Sequence, residues 1–414
     1  MSKMRGIRVL ENGKLSINTN EIYGRNNDKI LEAIRKCPEN VQEFICDTFC
    51  YGNERIKQTL SYLSGGSLKK LVFFNTYAYA DSSDTEMYAD SSDDLSPESF
   101  LFNDDVYFTN LEHLAISDIS DKCASKIIDF TDLTNLVFLH IPNFNRSENL
   151  TINKIIAKVH EMSQNGYMSQ LCDLEVHCDE SNYMHIKNLL KIFPDLKFLT
   201  IHSYHTDTMH NLSEELGKIP LHGLEIDGGI VNIEGGHVLI NKLLKNKNLW
   251  SLCLNNIRIN FEMIKYNRMK NIVNIEVVGN NIDMKIVSLI LKSCMNLESI
   301  ALDRNILDEN DVIKILETIE NMPNLYNISL RYLNISREIF PSIINKLKNN
   351  KHLVRICFEQ HYILSDPNIY ASHIEEMLEE NIALREIPNL ETTDRIKYLL
   401  SDEGLAYRIK NSRN

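Results

Sequence analysis

Proline, glycine and tryptophan are scarce in this 414-residue chain, at nine, fifteen and one respectively. No Pro/Gly-rich stretch marks a linker, so nothing announces the two or three domains that a globular chain of this length usually forms. One elongated domain is expected instead. Nowhere do apolar residues run together for the roughly eighteen positions that a membrane-spanning helix needs. The start, MSKMRGIRVLENGKLSI, has no apolar stretch long enough for a signal peptide, so the expected compartment is the cytoplasm and no membrane partner is expected. Nine cysteines, an odd number without paired flanking clusters, suit reduced thiols better than a disulfide frame. The sequons at Asn145, Asn149 and Asn327 then read as chance matches. There is also no basic excess. Against 57 Asp and Glu stand 44 Lys and Arg, a formal net charge of -13, which opposes binding to a phosphate backbone and leaves no nucleic-acid partner expected.

Sequence signatures of catalysis are missing as well. There is no GxxxxGK[ST], no GxGxxG after a strand, no HExxH and no CxxC pair. No enzyme activity, cofactor or resident metal is expected.

What the chain does have is a clock. LxxLxL runs begin at Leu111, Leu136, Leu171, Leu196, Leu221, Leu249, Ile272, Leu297, Leu325 and Leu353, mostly 23 to 28 residues apart. Two consecutive copies show the unit best. Ile272, Ile275 and Val277 are followed by Asn280, and Leu297, Ile300 and Leu302 by Asn305. Three alternating apolar residues make a short strand with one buried face, and the Asn amide is placed to bond backbone groups left unpaired where the chain bends. Between strands the apolar spacing turns helical: Val312, Ile315, Leu316 and Ile319 fall at i, i+3, i+4 and i+7, and Phe340, Ile343, Ile344 and Leu347 share a face. One such unit cannot bury its own apolar face, so the units must stack.

On these residues the chain resembles leucine-rich repeat proteins, and its helix-bearing units resemble the ribonuclease-inhibitor-like subclass. The resemblance implies an α/β solenoid, a horseshoe with parallel strands on the concave face and helices on the convex face. Weaker copies extend it upstream: Leu15, Ile17 and Asn20 fit the second half of the motif, followed by Val41, Phe44 and Cys46, then by Leu68, Leu71 and Phe73. Residues 1–40 are expected to form an N-terminal cap with the first repeat, 41–390 the array, and 391–414 a helical C-terminal cap. Ile396, Leu399, Leu400, Leu405 and Ile409 supply the apolar side of that last element.

One insertion breaks the rhythm at 77–105. Between Tyr79 and Asp105 there are nine acidic residues and no Lys or Arg, including a hexapeptide duplicated at Tyr79 and Tyr88. This composition reads as a mobile acidic loop, either a neutral elaboration or a lure for a basic partner and a phosphorylation target.

The concave face is where a partner is expected. Residues between the leucines point into it and stack in columns about 5 Å apart. The fifth position runs Ala115, His140, Glu175, Thr200, Glu225, Cys253, Glu276, Ala301, Ser329, Cys357, and the seventh includes His177, His202, Asp227, Asn255, Asp303 and Arg331. His140, Glu175, His177, His202, Glu225 and Asp227 thus form a polar group in mid-array, which a merely solvated strand face also explains. Trp250, Tyr326, Arg331 and Arg355 add the residue types that dominate interface energies. Cys253 and Cys357, at the same columns, read as ordinary surface thiols.

Function is therefore expected to be that of a non-enzymatic scaffold binding another protein on the concave face, as a monomer. The Ile, Asn and Lys richness points to an AT-rich genome, and an effector of an intracellular bacterium, exported to a host cytosol, fits it. The alternative is a regulator of an enzyme, either a GTPase activator or a ubiquitin-ligase substrate adaptor.

Overall fold

The computed structural model describes residues 7–10, 15–18, 32, 34–36, 38–47, 59–64, 66–74, 107–116, 121–141, 149–167, 169–203, 212–232, 236–333, 336, 338–358, 367–388 and 394–411. The acidic insertion and most of residues 1–40 lie outside them. The chain divides into two compact units, 1–201 and 202–414.

In the first unit, strands β1 (Ile7–Val9), β2 (Leu15–Asn18), β3 (Val41–Asp47), β4 (Lys70–Phe74), β5 (His113–Ile116), β6 (Phe138–Ile141) and β7 (Asp173–Cys178) follow one another in sequence order. From β2 to β7 each pair is parallel, with Leu71 opposite Leu114, Leu114 opposite Leu139 and Leu139 opposite Leu174. Helices α1 (Asp121–Asp129), α2 (Leu150–Gln164) and α3 (Tyr183–Ile192) occupy the intervening segments. Strand β8 (Phe198–Ser203) carries the boundary. The second unit holds β9 (Gly223–Asn232), β10 (Ser251–Arg258), β11 (Asn274–Val278), β12 (Ser299–Ala301), β13 (Asn327–Ser329) and β14 (Arg355–Cys357), all parallel to their neighbours. Helices α4 (Gly236–Leu243), α5 (Met284–Ser293), α6 (Glu309–Ile319), α7 (Phe340–Lys348) and α8 (Pro367–Glu380) alternate with them, and short 3-10 turns replace an α-helix between β10 and β11.

The period-two and period-3.6 stripes meet in one core within each unit. Leu252, Ile275, Ile300, Ile328 and Ile356 are buried on the inner side of the second unit's strands, against Ile286, Ile290, Val312, Ile315, Ile343 and Leu347 from the helices. A recurrent backbone clamp fixes the strands in register. The carbonyl of the second residue of a repeat accepts two consecutive N–H groups from the next repeat. Lys69 O thus takes Glu112 N at 2.8 Å and His113 N at 2.9 Å, and Trp250 O takes Val273 N at 2.8 Å and Asn274 N at 3.0 Å.

Asn280 and Asn305 do what their position predicts. Asn280 Nδ2 donates to Leu254 O (2.5 Å) and Val278 O (2.9 Å), and its Oδ1 accepts Ile257 N at 2.7 Å. Asn305 Nδ2 donates to Val277 O and Leu302 O, and its Oδ1 accepts Asn280 N at 3.0 Å, so the two side chains link successive turns. Where the consensus Asn is Asp179, the work is shared. Asp179 accepts Ser181 N and Asn182 N, while Asn182 donates to His177 O.

Two expectations about the ends need correction. Leu15 pairs with Val41 and Ile17 with Phe44, so it is Ile17, and not Leu15, that holds the central apolar position of the first repeat. A register shift between Leu15 and Ser16 accounts for the offset. The edge beyond it is an antiparallel strand, β1, which the repeat spacing did not foretell. At the other end, α9 (Asp394–Leu400) buries Ile396 and Leu399 as expected, but α10 (Asp402–Asn411) packs by Gly404 and Arg408, leaving Leu405 and Ile409 half-buried. Arg408, 0% exposed, donates to Leu384 O at 2.7 Å and to Asn381 O. A shorter strand-like contact, Arg355 opposite Glu386, shows one more repeat beginning at Leu384.

Candidate interaction surface

In the first unit the strand face opposite the core carries positions 3 and 5 of β5 to β7, with His177 at position 7 of β7. Pairing sets His113 beside Phe138 and Phe138 beside Asp173, and sets Ala115 beside His140 and His140 beside Glu175. The His113 ring stacks on Phe138 with centroids 4.0 Å apart and planes at 8°. His140 Nδ1 lies 2.9 Å from Glu175 Oε1, and its ring meets that of His177 edge-on at 6.2 Å. Thus three predicted residues, His140, Glu175 and His177, do come together. Burial, and secondarily Lys70, pulls the His113 pKa down to about 4. Burial, reinforced by Glu175, raises that of Asp173 to about 6. Position 3 of this face was not singled out by sequence, because a stacked His–Phe pair leaves no spacing signature of its own.

The second unit carries the other three polar residues of that group. His202 Nδ1 is 3.6 Å from Asp227 Oδ2, and Glu225 accepts a hydrogen bond from Asn255 Nδ2 at 3.3 Å. Further along, Asp303 accepts Ser329 Oγ (2.9 Å) and Arg331 N (2.8 Å), and burial raises both its pKa and that of Glu276. Trp250 is 37% exposed and Tyr326 45%, both at the second position of their repeats, as the pattern required. Arg355 is also accessible, with Glu386 3.4 Å from its Nε.

A feature of this face that the leucine spacing does not encode lies at position 8, two residues past each LxxLxL run. Asn256, Gly279, Arg304 and Tyr332 all have left-handed backbone, with φ of 55°, 67°, 56° and 55°. Gly279 is required twice over, since a Cβ there would also run into Asn256 Oδ1. Asn and Gly tolerate this geometry, whereas Arg and Tyr each carry about 1–2 kcal/mol of strain. The Arg304 guanidinium lies 4.7 Å over the Tyr332 ring. Asn256 and Gly279 at equivalent positions were the available signal.

The thiols are not poised for chemistry. Burial, with Glu276 and Glu225 close by, pushes the Cys253 thiol far up, which disfavours the reactive thiolate. Cys357 is buried at 4% exposure, which corrects its reading as a surface thiol. Among the described residues, no three His, Cys, Asp or Glu side chains converge as a metal site needs. Among the same residues, no helix is long and apolar enough to cross a membrane.

The class defined by this geometry, parallel LxxLxLxxN strands alternating with helices and tied by an asparagine ladder, is the leucine-rich repeat solenoid. No family model matches the sequence, and no curated protein matches it. Among solved structures, similarity is found to the leucine-rich repeat-containing protein LegL7 from Legionella pneumophila, at 13% identity over 67% of this chain and 90% of that one, with a TM-score of 0.39. An internalin (inlF) from Listeria monocytogenes shares 14% identity over 66% of this chain and 79% of its own, with a TM-score of 0.34. The TLR13–ssRNA13 complex matches 89% of this chain and 48% of its own, at 14% identity and a TM-score of 0.40.

Proposed function

We propose that this protein is a non-enzymatic scaffold that binds another protein through the open face of its strands. The observation that carries this reading is the register of the second unit. Short strands held in step by the backbone clamp present Trp250 and Tyr326 to solvent at the same position of their repeats, with Arg355 one position further along its own repeat and the half-buried Arg331 at the other end of the Tyr326 repeat. Large aromatic side chains are kept out of water wherever packing allows, and exposed Trp, Tyr and Arg on a rigid support are what an interface draws its energy from. His140, Glu175 and His177 in the first unit, and His202, Glu225 and Asp227 in the second, supply polar contacts that fix orientation. The helices opposite most strands support the ribonuclease-inhibitor-like subclass. A bacterial effector acting in a host cytosol remains the setting we favour, on composition alone.

The test is quantitative affinity capture with the full chain against Trp250→Ala combined with His202→Ala. Loss of the same prey in the double variant, at unchanged thermal stability, supports the reading. Prey retained equally by both proteins removes this face from consideration.

A further inference from the structure

Position 8 poses a question that fold stability alone leaves open. Four successive repeats place a left-handed residue there, and two of them, Asn256 and Gly279, use residue types suited to it. The next two use Arg304 and Tyr332, which are not. Backbone strain retained at an exposed site points to a role for the side chains that the strain holds in place. Here both side chains are outward: Arg304 is exposed and Tyr332 is 40% exposed.

The chemistry of the pair is specific. The Arg304 guanidinium carbon sits 4.7 Å over the Tyr332 ring, which holds the cation in place on the exposed surface with N–H donors to offer. The nearest acid in sequence, Asp303, is already engaged by the Ser329 hydroxyl and the Arg331 backbone N–H. Among the described residues, no carboxylate forms an ion pair with Arg304. Asp303 feels the charge of Arg304 without meeting its donors, and a fork of donors with no carboxylate in direct contact suits a bidentate carboxylate or phosphate. Charge decides between the sources. Glu276, Glu298 and Asp303 lie in the same or the preceding repeat, and the chain carries a net charge of -13, a field that penalises a polyanion far more than one carboxylate.

We propose that the Arg304–Tyr332 stack is the anchor for an Asp or Glu side chain on the protein that this face binds. The inference rests on the scaffold reading above and names the chemistry of its partner.

The experiment is selection of a random peptide library on the full-length protein, followed by anisotropy with the selected peptides and their Asp→Asn or Glu→Gln counterparts. Enrichment of acidic residues is expected. Arg304→Lys should weaken the selected acidic peptide by about ten-fold, since a point charge replaces the fork. Tyr332→Gly and Arg304→Asn should lose it while keeping or raising the melting temperature, because both relieve the left-handed strain. A merely structural stack would instead lower the melting temperature in those two variants, and that result overturns the proposal. Selected peptides without an acidic preference, or a preference for phosphopeptides over carboxylates, overturn it too, while leaving the scaffold reading intact. A wild-type protein that enriches no peptide sinks both.

Discussion

Asn305 illustrates how much one side chain does in this fold. Its amide closes contacts to two carbonyls of its own turn and one of the preceding repeat, and its oxygen receives the N–H of Asn280. Asn305→Ala strands several buried backbone groups at once, so a loss of about 2–4 kcal/mol is expected in urea denaturation. Asn280→Ala should cost a similar amount, and the double variant should depart from the sum, because Asn305 Oδ1 accepts the backbone N–H of Asn280 and the two sites are in direct contact. In the first unit, two titrations oppose each other. Asp173 has its pKa raised in the fold, chiefly by burial, to about 6, so its contribution to stability is full below its unfolded value and is lost as pH rises through about 6. His113 is depressed, again chiefly by burial, to about 4, so its contribution is present above 6.5 and is lost as pH falls through about 4. Asp173→Asn should therefore raise the urea midpoint at pH 7.5 and leave it nearly unchanged at pH 3.5, whereas His113→Phe should preserve stability on the acid side. An NMR titration of His113 with a midpoint near 6.5 would show that the stack on Phe138 does not form.

Elements were legible in proportion to the length of their pattern. The ten LxxLxL runs and the stripes of α6 and α7 were read correctly because burial imposes the same spacing each time. The ends were read poorly because a cap is not a repeat. Leu15 looked like a motif leucine, but the register shift moved Ile17 into its place. Leu405 and Ile409 looked like the buried side of α10, yet the buried residues are Arg408, which reaches the last repeat, and Gly404, which sits against the Tyr398 carbonyl of α9. The physical reason is a row of carbonyls at the finishing turn, which an arginine satisfies and a leucine cannot. Another signal was available and unused. Asn246, Asn350 and Asn381 each stand three residues before a first leucine, and each accepts backbone N–H groups of the turn leading into it, Asn350 from His352 and Leu353 and Asn381 from Ala383 and Leu384. At this scale the prediction concerns α9 and α10. A Cβ at residue 404 would overlap the Tyr398 carbonyl, so Gly404→Ala should force the two helices apart and cost about 2–3 kcal/mol. Arg408→Met should cost about as much by leaving the carbonyls of Asn381 and Leu384 without their donor, and hydrogen exchange at Leu384 and Leu378 should speed up in both variants.

For the molecule, stacking means that each repeat answers to its immediate neighbours. Leu302→Ala should cost about 2–5 kcal/mol, and the accelerated amide exchange should spread to the β11 and β13 repeats before it reaches β9. Uniform acceleration across the whole chain would mean that the repeats do not behave as nearest neighbours. The candidate surface was legible as columns because strand register is fixed by the leucines, and within each unit the fifth-position residues pair as the spacing required, Glu225 with Cys253 and Cys253 with Glu276. What the columns did not carry was backbone conformation. The left-handed row that sets Arg304 on Tyr332 depends on dihedral angles that the leucine spacing does not encode.

The clamp between second-position carbonyls is indifferent to what lies between its ends. It closes from Trp250 to Val273 and Asn274 across the shortest interval, and equally from Val137 to Cys172 and Asp173 and from Lys69 to Glu112 and His113, where the intervals are far longer. Extra chain is thus absorbed outside the strands, at an entropic charge that grows only logarithmically with length. Such an architecture can accept fluorophore tags, affinity epitopes or whole foreign segments at its connecting arcs without losing step, whereas one residue added between Leu249 and Leu254 would turn the remaining side chains of that strand to the opposite side.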